Sequence, residues 1–256
     1  MPTMTNEKPI RRRRLWLLIL IPLAGLLVLF LAQDALGLPR LVNTAPRTAK
    51  VLEWLRGRGE RDIGLVQAQQ YCGEAPFMMP TEGLIGFIWD DSFYPGHRHQ
   101  GLDIFGGAES GATPVYAAYP GYLTREDGWK SSLIIRVPED PLLPERQIWT
   151  YYTHMADARG EVSYIDPAFP PGTEEVYVPA GTLLGYQGNY SGDPANPVGI
   201  HLHFSIVLDD GRGKYLNELE IGNTLDPSPY FGLRLNANEN REVVPICPEA
   251  QRTPAP

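Results

Sequence analysis

Cysteine is nearly absent. Cys72 and Cys247 are the only two in 256 residues, and neither belongs to a Cys-x-x-Cys, which argues against a thiolate zinc site or a dithiol redox motif. Basic side chains are scarce beyond residue 70: residues 71–256 carry 11 Lys/Arg against 25 Asp/Glu, whereas residues 1–70 carry 11 against 5. So acidic a body is repelled by phosphate backbones and anionic lipid surfaces, so no nucleic acid is expected as a partner. There is no internal repeat and no heptad run, which argues against a coiled-coil stalk. Histidine is sparse too, at five residues, so its placement carries information.

What is present is turn chemistry. The 26 glycines and 25 prolines favour many short strands joined by turns over long helices. With 43% hydrophobic and 20% charged residues, the chain can bury one sizeable core. The expected class is mainly β. Strand candidates are 84–88, 114–118, 122–124, 132–137, 147–154, 175–178, 183–187 and 201–208, with Gly or Pro between most of them. The excursions 138–146, 156–173 and 188–199 read as surface loops of the length that commonly walls a substrate groove.

The amino terminus differs from the body. Leu15 to Ala32 is an uncharged apolar run of 18 residues behind Arg11 to Arg14, about long enough to span a bilayer, with the arginines on the cytoplasmic side. The expected organisation is a basic terminus (1–14), a transmembrane signal-anchor (15–33), a linker or stalk (34–70), the folded domain (71–235) and a loosely held tail (236–256). Cleavage near Ala35-Leu36-Gly37 is the alternative, which would release the protein. Either way the domain lies outside the cytoplasm, where Cys72 and Cys247 can pair and tie its two ends together. In the linker, Val51, Leu52 and Leu55 have helix-like spacing, as a stalk or as a short helix packed on the domain.

Two segments carry chemistry. In Gly199-Ile200-His201-Leu202-His203-Phe204-Ser205-Ile206-Val207 the two histidines share one face of a strand, while Leu202, Phe204 and Ile206 take the other. In His99-Gln100-Gly101-Leu102-Asp103, an extended backbone points imidazole and carboxylate the same way. His99, Asp103 and one of the later histidines make a three-ligand set. Three protein ligands leave a fourth position open, as at a catalytic zinc. His154 and the remaining histidine would serve as base and oxyanion donor. His97, two residues before His99, shares its face and stays open as a ligand.

The motif series His99-Gln100-Gly101-Leu102-Asp103-Ile104, Gly111 to Ala118 with Gly121, Tyr152-Thr153-His154-Met155, Pro179 to Gly185 with Gly188, and His201-Leu202-His203-Phe204 resembles the M23 peptidases, the LytM and lysostaphin-type zinc endopeptidases. The resemblance covers about residues 83–208, with the blocks in the family's order. It implies one zinc ion on His99, Asp103 and His203, and a water-activating pair in His154 and His201. It also implies an antiparallel, sandwich-like β fold with a groove, peptide cross-links of bacterial peptidoglycan as substrate, and a bacterial envelope location, with which the single membrane pass expected from residues 15–33 agrees. The alternative is a non-catalytic zinc module that binds wall or regulates a partner hydrolase. Two departures alter the groove walls. Ser205 stands where the family often has Glu, and the loops after His154 and Gly188 are longer than usual.

Overall fold

A computed structural model of the chain describes residues 46–57, 64–92 and 97–247. Nine strands follow the helix α1 (Pro46–Leu55) and precede the one-turn helix α2 (Ser228–Phe231). They are β1 (Leu84–Ile85), β2 (Leu102–Phe105), β3 (Pro114–Tyr116), β4 (Gly121–Arg125), β5 (Leu133–Val137), β6 (Ile148–Thr153), β7 (Thr173–Val178), β8 (Leu183–Tyr186) and β9 (Leu202–Leu208). Seven form one antiparallel sheet in the order β1-β2-β9-β6-β5-β4-β7, and β3 pairs with β8 in a second.

Each expected strand overlaps an observed one. The addition is β2, which turn-rich sequence on both sides had left as an extended segment. It is four residues long, begins after Gly101 and ends at Gly106-Gly107, and all four residues are buried. Alternation assigns its faces. Leu102 and Ile104 join Leu202, Phe204, Ile206 and Tyr152 in the main core, which also takes in Val115 of β3 and Leu184 of β8. Asp103 therefore faces the other way, beside His203 of β9.

Gly101 is needed for strand packing. A Cβ there would lie 2.1 Å from the Phe204 carbonyl oxygen of β9, so the absence of a side chain is what lets the two strand backbones approach this closely.

The segment around Val51 is a helix packed on the domain. Val51 is fully buried with Leu84, Phe105 and Val244. Arg47, also fully buried, hydrogen-bonds the Gly86 carbonyl and pairs with Asp91. The segment after Leu235 is tied down as far as Cys247. Asn236 bridges to Trp89, the Asn240 side chain donates to the carbonyls of Arg234 and Val243, and Cys247 is joined to Cys72 with Cα atoms 5.1 Å apart. The signal-anchor expected at 15–33 lies outside the described residues.

Candidate metal centre

Three adjacent strands build the site. Antiparallel pairing sets Asp103 of β2 directly opposite His203 of β9, and Thr153 of β6 opposite His203 on the other side. His154 follows the end of β6 with φ of +72°, a left-handed conformation that is uncommon for a residue with a side chain. His201 lies one residue before β9, where it bridges to Gly188. His99 sits on the approach to β2, its backbone N–H donating to the Asp91 carbonyl.

His99 Nε2, Asp103 Oδ1 and His203 Nδ1 converge. The separations are 3.1 Å (His99–Asp103), 3.1 Å (His99–His203) and 2.9 Å (His203–Asp103), and all three residues are buried. The outer ring atoms define which nitrogens are donors. His99 Nδ1–H donates to the Ile88 carbonyl at 3.1 Å, and His203 Nε2–H donates to Glu218 Oε1 at 2.8 Å. In the neutral rings, both convergent nitrogens are then lone pairs facing each other and a carboxylate oxygen. Three electron-rich atoms in so small a buried space call for a positive charge between them. A divalent metal fits that need, and ligand histidines whose outer N–H groups are held by a carbonyl and a carboxylate fit it further.

The electrostatics agree. Burial alone would push His203 down, but hydrogen bonds to Asp103 and Glu218 carry it up to about 10, so without a metal a proton supplies the missing charge. Burial would raise Asp103, yet His99, His201 and His203 hold it well below the usual carboxylate range. His154 moves the other way. Burial, helped by His201 and His203, pushes it down to about 3, which keeps the ring neutral at physiological pH.

His154 and His201 stand beside the three. Their ring centroids are 4.6 Å apart, and His201 Nε2 is 3.4 Å from Asp103 Oδ1. Each has Nδ1–H committed to a carbonyl, His154 to Tyr190 and His201 to Gly199, both at 2.7 Å, leaving Nε2 as the basic atom. His201 also stacks on Phe105 at 4.8 Å. His97 lines the same groove but is not among the three convergent ligands.

The site opens into a groove of about 770 Å³. Of the three long excursions, 188–199 supplies a wall through Tyr190 and Val198. The loop 138–146 instead buries Asp140 against Arg146 and Tyr230, and 156–173 sends Ile165 and Phe169 into the core. Two features escaped the sequence reading: α1 borders the groove through Leu52 and Leu55, and Glu218 holds His203. The helical spacing of Leu52 and Leu55 was visible, but its position was not. For Glu218 no sequence spacing carried a signal, because the loop that brings it to His203 returns only after β9.

Its structural neighbours are M23-type peptidases. A Pseudomonas aeruginosa protein assigned as an M23 peptidase matches with a TM-score of 0.36 and 18% identity, over 73% of this chain and 61% of its own. A Ruminococcus gnavus protein assigned as a glycyl-glycine endopeptidase of the LytM type matches at 0.33 and 22%, over 56% and 49%. The catalytic domain of a prophage-encoded M23 protein from Enterococcus faecalis matches at 0.34 and 19%, over 60% and 97%. The chain thus spans less than two thirds of the first two. No protein-family model and no curated protein matches the sequence. At such identities and scores these likenesses carry no argument about activity, which rests on the side chains.

The partners expected from the sequence need correction. Of a peptidoglycan peptide, a membrane held through residues 15–33 and an internal disulfide, only the Cys72–Cys247 disulfide is supported. Among the described residues no helix is long and apolar enough to cross a membrane. The groove lining mixes aliphatic, aromatic and hydroxyl side chains with Lys130, Gln100 and Glu218 and singles out no substrate.

Proposed function

We propose that this protein is a zinc-dependent endopeptidase. The observation that carries the reading is the convergence of His99 Nε2, Asp103 Oδ1 and His203 Nδ1 within about 3 Å of one another, with the basic atoms of two more imidazoles beside them on an open groove. His99, Asp103 and His203 would hold a zinc ion, which when bound would supply acidification of a water and polarisation of a carbonyl. The chain's own groups do the rest. His154 Nε2, neutral through burial, accepts a proton and returns it to the departing amine. His201, oriented by the Gly199 carbonyl and the Phe105 ring, donates from Nε2 once that atom has taken up a proton, toward the oxygen on which negative charge develops. The groove lays the peptide across this pair. The disulfide favours an oxidising compartment outside the cytoplasm.

The test is cleavage by the full chain, with and without a chelator, of two substrates in parallel: peptide cross-links of purified peptidoglycan, the class the sequence resemblance implies, and an unfolded protein. Chelator-sensitive appearance of new amino groups, mapped by mass spectrometry, supports the reading and assigns the bond. No cleavage of either by zinc-loaded protein contradicts it and favours a non-catalytic zinc module.

A further inference from the structure

We infer that Glu218 is a positioning residue for the metal centre, fixing the ring of His203 so that Nδ1 faces inward as a lone pair. The inference rests on the metal-centre reading above. Glu218 lies beyond β9, on a loop anchored at several points: Leu216 N–H donates to the Leu208 carbonyl at 3.0 Å, and the Gln100 side chain, beside His99, donates to the Leu219 carbonyl at 2.8 Å. The carboxylate so presented is 15% exposed. Among the described residues its hydrogen-bond partners are His203 Nε2 at 2.8 Å and Ser205 Oγ at 3.3 Å. A buried carboxylate is costly unless its partners need it, and here both lie on the groove-facing side of β9, two residues apart.

The consequence for His203 is specific. A carboxylate accepts and does not donate, so it holds the proton on Nε2 and raises the donor strength of Nδ1. His99 receives the same service from the neutral Ile88 carbonyl. Each proposed ligand imidazole thus has an outer anchor, and the charged one belongs to His203. Ser205 completes the arrangement by donating to the same carboxylate oxygen. A residue at 205 shares the face of His203, so a longer acid there can bring a carboxylate to the same ring nitrogen.

The test measures zinc affinity by chelator competition in the full chain. Glu218→Ala lowers it by about 10- to 100-fold, and adding Ser205→Glu to that variant restores most of the loss. A residue that merely pinned its loop would change thermal stability and leave both numbers unmoved. Should Glu218→Ala fail to fold, Glu218→Gln, which keeps size but not charge, shows a several-fold loss of affinity. Affinity within twofold of the parent in the folded variants overturns the role of Glu218. Asp103→Ala, measured alongside, separates the two levels. If it loses zinc while the Glu218 variants keep it, only this inference fails. If the parent holds no zinc, or Asp103→Ala keeps it, the metal-centre reading fails and takes this inference with it.

Discussion

At the scale of single residues, the account turns on which groups hold a metal and which move a proton. Asp103→Ala or His203→Ala removes a convergent ligand atom and is expected to abolish stoichiometric zinc binding, read by metal analysis after gel filtration. His154→Asn is expected to keep zinc and lower peptide hydrolysis by about 10²- to 10⁴-fold, the usual worth of a positioned general acid–base. Asparagine suits this position because it tolerates the left-handed backbone that His154 adopts. His154 also gives a pH signature. Its folded pKa, pushed down by burial to about 3, lies below that of an unfolded histidine near 6.5. The unfolded chain therefore takes up a proton first, and stability falls as pH drops from about 6.5 toward 4.5. His203, raised by its carboxylates to about 10, is already protonated in folded metal-free protein, and its unfolded ring finishes protonating by about pH 5.5, so below that pH it adds no slope and the decline belongs to His154. Urea midpoints of metal-free protein should decline over this range in the parent and flatten in His154→Asn. His99, Asp103, His154, His201 and His203 could be picked out from the sequence because five histidines are few and their spacing on strands is simple. Glu218 could not, because its relation to His203 arises from a loop that returns after β9.

At the scale of elements, the pairing of β2 with β9 is what sets imidazole against carboxylate. Gly101 guards it. Gly101→Ala puts a methyl group against the Phe204 carbonyl and is expected to destabilise the fold by about 1–3 kcal/mol or more, with zinc affinity falling in step, since Asp103 moves with its strand. Chemical denaturation and chelator competition on the same samples check both. The alternation of β9 and the β-branched, aromatic run of β6 made those strands visible in advance. The four-residue β2 was hidden between glycines, and its single acidic residue interrupts the apolar pattern. The place of α1 was hidden as well: spacing showed a helix, but only packing of Val51 on Leu84, Phe105 and Val244 brings Leu52 and Leu55 to the groove.

At the scale of the whole molecule, the Cys72–Cys247 bond closes a span of 175 residues around the strands that carry the site. A loop this long is worth about 5 kcal/mol in the chain-entropy account, so Cys72→Ser/Cys247→Ser is expected to lose a stability of that order in urea unfolding. The most direct test of the central claim is a titration. Zinc is added in steps to full-length protein stripped by a chelator, and hydrolysis of a cross-linked peptide is followed at each step. The account predicts that activity rises linearly and saturates at one equivalent of zinc. Hydrolysis that proceeds without zinc, or none with one equivalent bound, would contradict it.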